Sequence, residues 1–197
     1  MCSSDLLAEV IAVDESFVHT KPRELSFAEA SALPVGGVSG LQIVDELVGV
    51  RPGMKVLVNG AAGGVGMFVT QLAVRRGARV TAVVGPRGVA LAKGWGCEAV
   101  VDYSTTTLSG AFDAVVDLSD KLSFGQARPL LTPNGTFVSA LPNPVDLLAG
   151  FVNNLFSSRK RRILRMKLSQ ERLGTLVADT TTGLKVVIGT SYPFANF

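Results

Sequence analysis

The chain has 197 residues, 47% of them apolar, with a formal net charge of +3; this gives room for one full domain and part of another, and too small a positive excess to argue for nucleic acid. No apolar run reaches the ~18 residues of a membrane helix and no secretory signal opens the chain, so neither a membrane nor a nucleic-acid partner is expected. Cys2 and Cys97 lie far apart and match no metal-ligand spacing, so no disulfide framework or metal site is expected, in keeping with a reducing, cytoplasmic setting.

Met1 to Leu6 reads like the translation of a sequencing adapter, and we expect native sequence to have been replaced there. Leu7 to Val18 alternates loosely and reads as a strand, with Asp14-Glu15-Ser16 as a turn, followed by a linker over His19-Thr20-Lys21-Pro22. Ser26 with Glu29 three residues on forms a capping box, so a helix starts at Phe27. It either runs past Pro34 or restarts after Gly36-Gly37. Leu41, Val44, Leu47 and Val48 give a second amphipathic stretch, and Pro52-Gly53 turns the chain into Val56-Leu57-Val58.

That apolar run opens the stretch around which the chain is organised. Gly60-Ala61-Ala62-Gly63-Gly64-Val65-Gly66 follows it, then Val65, Phe68, Val69, Leu72 and Ala73 recur at helical spacing. Gly77-Ala78 closes the helix and Arg79 to Val84 is a second strand. Strand, glycine turn, helix and strand make half of a dinucleotide fold. A phosphate at a helix start meets unpaired amides and the positive end of the helix dipole. Side chains in the turn would hold a pyrophosphate away from those amides, or wedge the helix off the strand. Ala62, Gly63, Gly64, Val65 and Gly66 are therefore candidate cofactor-binding residues, although a tight turn that binds nothing has the same pattern. An NAD site usually offers a carboxylate after the second strand. Here the strand ends Val84-Gly85-Pro86-Arg87. A guanidinium can grip a ribose 2′-phosphate through parallel hydrogen bonds, so Arg87 points to NADPH.

Val89 to Trp95 reads as a short helix, Ala99 to Val101 as the third strand and Phe112 to Asp117 as the fourth. Leu122 to Leu131 reads as helix, ended by Pro133-Asn134-Gly135, and Thr136 to Ala140 as the fifth strand. The alternation implies parallel pairing with right-handed crossovers, an α/β doubly wound sheet of the Rossmann type. Asp146 to Phe156 is an apolar helical stretch. The basic run from Ser157 to Lys167 is read as a solvated face, with Leu164, Met166 and Leu168 alternating like a half-buried strand. Ser169 caps a last helix through Val177, and Val186-Val187-Ile188 is a sixth strand.

These features resemble the zinc-independent medium-chain dehydrogenase/reductases, especially the quinone oxidoreductase (zeta-crystallin-like) branch. The resemblance rests on Asn59 to Gly66, Leu25 to Ala30, Ala32-Leu33-Pro34, Gly96 to Tyr103 and Tyr192-Pro193. It implies a GroES-like domain, of which 1–33 is a remnant with its linker, then an NADP-binding domain over 34–190 and a truncated return over 191–197. It implies that Ser39 lies near the nicotinamide, that Ser139 and Ala140 end the strand lining the nicotinamide pocket, and that Tyr103 lies beside the adenosine phosphate. It also implies a small-molecule substrate and a homodimer when full length. The family's small Val-Gly pair after the fourth strand is replaced by Leu118-Ser119-Asp120, and Asp120 is expected to bring negative charge toward the cofactor and weaken its binding.

Hydride transfer to a quinone or conjugated carbonyl needs little acid–base help, consistent with no metal constellation. His19, the sole histidine, reads as a linker residue, and no catalytic residue can be named. The expectation is an NADPH-dependent quinone or enone reductase, seen as a fragment with little turnover alone. A non-catalytic NADPH-binding module and an enoyl-reductase module of a larger synthase are the alternatives.

Overall fold

The computed structural model describes residues 11–105, 107–140, 150 and 153–190. Six strands, β1 (Lys55–Asn59), β2 (Arg79–Val84), β3 (Ala99–Asp102), β4 (Phe112–Asp117), β5 (Leu131–Ser139) and β6 (Lys160–Ile163), form one parallel sheet in the order β3-β2-β1-β4-β5-β6. This is the α/β doubly wound arrangement that the strand–helix alternation predicts. The strand order reverses beside β1, so the crevice between the carboxyl ends of β1 and β4 is where such sheets bind ligands.

Alternate residues of each strand face opposite sides. Val56 and Val58 of β1, Val80, Ala82 and Val84 of β2, and Ala114 and Val116 of β4 join one buried cluster. That cluster is closed by α3 (Gly66–Arg75), through Phe68, Val69 and Leu72. Leu57, Val83, Val115 and Phe137 face the other way into a smaller cluster, closed by α5 (Phe124–Ala127) and its neighbours. Between α3 and α5 in the chain lies α4 (Val89–Gly94), and the last described helix, α6, is Gln170–Thr181 with Ser169 as its cap.

The capping box at Ser26 is present: its Oγ accepts from the Glu29 N–H at 3.2 Å and Glu29 Oε2 accepts from the Ser26 N–H at 2.8 Å. It opens α1 (Phe27–Ser31). Helical turns then continue to Val48 through α2 (Val38–Leu41), with wide turns at Leu33–Gly37 and Gln42–Val48. Pro34 has no N–H and disturbs a regular turn; the wider turn accommodates it, the Gly37 N–H donating to the Ala32 carbonyl at 3.2 Å. The chain runs past Pro34 and does not restart. A side chain at Gly40 would put Cβ 2.6 Å from that of Phe68, so α2 lies in close contact with α3.

Four expectations need correction. Residues 11–18 are not a strand, although the turn expected at Asp14-Glu15-Ser16 is present: Asp14 accepts from the Ser16 N–H at 2.9 Å at the start of a single 3-10 turn, Glu15–Phe17. The helix expected over Leu122 to Leu131 is α5 plus one 3-10 turn, Arg128–Leu130, because Pro129 cannot donate the next helical bond. Leu131 already belongs to β5, and Pro133-Asn134-Gly135 form an irregularity within it. The sixth strand is Lys160–Ile163, inside the basic run, not Val186 to Ile188 or Leu164 to Leu168. Arg161 is buried there, its guanidinium 5.7 Å from the Phe124 ring centre, so the run is not simply a solvated face. Cations on an edge strand discourage further pairing. The segments once expected to be strands are instead clasped by two buried glutamines. Gln42 accepts from the Lys167 N–H at 2.8 Å and donates to the Arg165 carbonyl at 3.4 Å. Gln71 accepts from the Lys185 N–H at 2.9 Å and donates to its carbonyl at 2.8 Å. The expected helix over Asp146 to Phe156 lies mostly outside the described residues, as do Met1 to Leu6 and Tyr192-Pro193.

Cys97 packs half-buried against the larger cluster. Burial disfavours the thiolate and pushes its pKa up to about 11. Iodoacetamide labelling of Cys97 should therefore be slow at neutral pH and rise only as pH approaches 11. Rapid labelling at pH 7 would show that the thiol is not shielded.

Candidate functional site

β1 ends at Asn59, and the chain turns at Gly60 with φ +85°, a region that favours glycine. The N–H groups of Gly60 and Ala61 both donate to the Val83 carbonyl, at 3.0 and 3.1 Å, tying the turn to β2. The Gly63 N–H donates to the Gly60 carbonyl at 3.0 Å. Those of Gly64 and Val65 donate to no described residue and stand at the first turn of α3. Uncommitted amides at the positive end of a helix are the donors an anion needs.

The glycines of the turn divide the work. A Cβ on Gly66 would lie 2.0 Å from the Gly60 carbonyl oxygen and 2.8 Å from backbone atoms of Ala61, so Gly66 is required for the turn to close. A Cβ on Gly63 would lie 3.2 Å from the same oxygen. A Cβ on Gly64 would meet nothing within 4 Å. Gly64 therefore faces open space, and a side chain there would fill that space without straining the fold.

In front of the turn runs a groove of about 740 Å³, walled by Gly60, Ala62, Gly63, Arg87, Tyr103 and Ser119 among others. It shares Gly60, Tyr103 and Ser119 with a chamber of about 590 Å³, which adds Val83, Leu108, Lys121 and Leu122. Arg87 is exposed in the 3-10 turn Pro86–Gly88 after β2, with no hydrogen bond or ion pair to a described residue. Tyr103 is 67% exposed, and its hydroxyl lies against Gly85. Of the expected site residues, Ala62, Gly63, Arg87 and Tyr103 wall this groove, and Gly64, Val65 and Gly66 continue the same turn into α3 without lining it. The other three lie elsewhere. Ser39 is buried within α2 and lines neither chamber. Ser139 is buried at the end of β5 and lines a separate cavity of about 240 Å³. The Ala140 N–H donates to the Asp117 carbonyl at 3.2 Å.

Asp120, expected to bring negative charge toward the cofactor, lines the 240 Å³ cavity together with Ser139 and Lys121, and lines neither the groove nor the 590 Å³ chamber. The charged residue that this loop presents to the 590 Å³ chamber is Lys121. Sequence reading also missed a polar cluster beneath Gly60, where Asn59 Nδ2 donates to Asp117 Oδ1 and to Ser119 Oγ, each at 2.8 Å. A signal was present: β1 and β4 are apolar strands that each end in a buried polar residue, Asn59 and Asp117.

A family model described as zinc-binding dehydrogenase matches residues 95–197. The chloroplast envelope quinone oxidoreductase homolog of Arabidopsis thaliana is 32% identical over 204 residues, covering 96% of this chain and 62% of that protein. The spectinabilin polyketide synthase system protein NorB of Streptomyces orinoci is 33% identical over 182 residues, covering 88% of this chain and 8% of that protein. Among solved structures, the quinone oxidoreductase from Coxiella burnetii matches with a TM-score of 0.73 and 28% identity, over 84% of this chain and 53% of that one. The chain thus spans 62% of the length of its plant relative. Despite the family's description, no group of three or more His, Cys, Asp or Glu side chains among the described residues fits a metal ion. No helix among them is long and apolar enough to cross a membrane. With the sheet order, the glycine turn and these matches in agreement, the chain belongs to the zinc-binding dehydrogenase family, in the quinone oxidoreductase branch of the medium-chain dehydrogenases/reductases.

Proposed function

We propose that residues 34–190 bind NADPH and serve a zinc-independent oxidoreductase that reduces a quinone or an α,β-unsaturated carbonyl. The observation that carries this reading is the turn itself: uncommitted amides of Gly64 and Val65 at the start of α3, open space at Gly64, and a position at the strand-order reversal.

Each residue then has a task. The amides of Gly64 and Val65 donate to the diphosphate, and Gly63 lets it approach. Arg87 binds the 2′-phosphate where a carboxylate would repel it. Tyr103 lies beside the adenosine phosphate. Ser139 and Ala140, at the carboxyl end of β5, and Ser39, on α2, border the nicotinamide end on the strength of the family resemblance. When bound, the coenzyme supplies the hydride. The protein's part is to hold it in register with the acceptor and to exclude water. No catalytic residue is assigned. The homodimeric state of the full-length protein is part of the same reading. So is its cytoplasmic setting, beside a plant relative whose name places it in the chloroplast envelope.

Calorimetry with NADPH and NADH on the wild type and on Arg87→Ala tests the coenzyme preference. A charge-assisted contact of about 1.5–3 kcal/mol corresponds to roughly 10- to 100-fold in affinity. Arg87→Ala should lose about that much for NADPH and nothing for NADH. Equal or tighter NADH binding by the wild type would contradict the assignment. A second reading, an enoyl-reductase module of a larger synthase, is favoured by the polyketide synthase relative. Turnover of the full-length gene product on a panel of quinones, enones and acyl thioesters separates the two. Absence of turnover on all three would favour a non-catalytic NADPH-binding module.

A further inference from the structure

The loop after β4 is held by its surroundings. The buried Asp117 carboxylate accepts at Oδ1 from Asn59 Nδ2 at 2.8 Å, from Ser119 Oγ at 2.9 Å and from the Ser119 N–H at 3.3 Å. Its Oδ2 accepts from the Leu122 N–H at 3.4 Å. Asp120, between these anchors, takes φ +57°, a left-handed conformation that aspartate adopts more readily than most residues with a side chain. The clasp thereby places Lys121 between two cavities, at the wall of the 590 Å³ chamber and of the 240 Å³ cavity that Asp117 and Asp120 also line.

That chamber has a distinct chemistry. Val83, Leu108, Leu122 and the Tyr103 ring make it largely apolar, and Lys121 is the one charged side chain in its lining among the described residues. Apolar walls without open amides do not suit a phosphate, whose desolvation they would not offset. They suit a flat aromatic ring. An ammonium group at the rim of such a site can lie over the ring face or donate to a ring nitrogen. The diphosphate is accounted for by the glycine turn and the 2′-phosphate by Arg87. The shared wall at Gly60, Tyr103 and Ser119 lets one extended ligand occupy both spaces.

We infer that Lys121 is a specificity-determining residue that holds the adenine base of the coenzyme, on a loop locked by the Asn59–Asp117–Ser119 clasp. The inference rests on the nucleotide-binding reading above. It assigns the base to a cation from the loop after β4. Lys121 thus recognises the base, whichever coenzyme carries it, and Arg87 the extra phosphate.

The test is a matrix of three proteins, wild type, Lys121→Ala and Arg87→Ala, against NADPH, NADH, ADP-ribose and reduced nicotinamide mononucleotide, read by calorimetry. Lys121→Ala should weaken NADPH, NADH and ADP-ribose by the same factor, about tenfold. It should leave the mononucleotide, which has no adenine, unchanged. Lys121→Arg should restore most of the loss. Because Lys121 is exposed, these variants should melt as the wild type does, and far-ultraviolet dichroism checks this. A loss confined to NADPH would assign Lys121 to the 2′-phosphate and overturn the inference, as would unchanged binding of all four ligands. If the wild type binds none of them, the nucleotide reading itself falls and takes this inference with it; if the wild type binds and Lys121→Ala binds equally well, only the role of Lys121 falls.

Discussion

Gly66→Ala should prevent the chain from folding to this structure. The added methyl carbon would sit 2.0 Å from the Gly60 carbonyl oxygen and 2.8 Å from the Ala61 carbonyl carbon and oxygen. All three are backbone atoms, so no side-chain rotation relieves the overlap. Relief requires α3 to move away from β1. That movement would break the contacts of Phe68, Val69 and Leu72, each buried in the main cluster. Burial of such side chains is worth about 1.5–3 kcal/mol each, against a total stability of about 5–15 kcal/mol for a domain. We expect insoluble protein on expression, or a loss of more than about 4 kcal/mol in urea denaturation. A soluble Gly66→Ala variant with the wild-type midpoint would mean that the turn is not built as described.

Gly64→Val should do the opposite: fold normally and lose nucleotide binding. No atom lies within 4 Å of the Cβ position at Gly64, and its backbone is not in the left-handed region. The added Cβ therefore meets no neighbour in the free protein. It occupies the space that a diphosphate must enter to reach the Gly64 and Val65 amides. Losing both donors, together with the helix-end field, should weaken NADPH by at least about 100-fold, since a hydrogen bond to a charged group contributes about 1.5–3 kcal/mol. Thermal melting without ligand, paired with calorimetry, gives both halves of the result. The two substitutions, two residues apart in one turn, thus separate the glycine that builds the site from the one that leaves it open. If Gly64→Val keeps wild-type affinity, the diphosphate does not bind at this turn.

The parts of the fold that could be read from the sequence are those governed by local rules. Ser26 and Glu29 announce their own capping box. The bounds expected for Arg79 to Val84 and Phe112 to Asp117 match β2 and β4, because buried parallel strands are short apolar runs between turn signals. The failures lie where tertiary partners override local pattern. Val186-Val187-Ile188 has strand composition, but the Lys185 backbone is already paired with the Gln71 side chain, 114 residues away in sequence. Lys160 to Ile163 has the composition of a solvated segment, yet pairs with β5 as an edge strand.

The site divides in the same way. The positions of the glycine turn and Arg87 were legible because each directly follows an apolar strand, β1 and β2, and residues of both wall one groove. Lys121 was not, because it enters the chamber wall through Asp117, Ser119 and the left-handed turn at Asp120, a geometry with no spacing rule. Asp120 shares the 240 Å³ cavity with Lys121 and Leu122, and those two residues also reach the 590 Å³ chamber, a division that no sequence spacing announces.

The central claim is that backbone amides at the bend between β1 and α3 hold the coenzyme's diphosphate. Amide-resolved nuclear magnetic resonance of the ¹⁵N-labelled chain, titrated with NADPH, tests it most directly. The account predicts that the amide signals of Gly63, Gly64 and Val65 move first and furthest, with those of Arg87 and Tyr103 following. Saturable binding that leaves the signals of Gly63 to Val65 in place would contradict it.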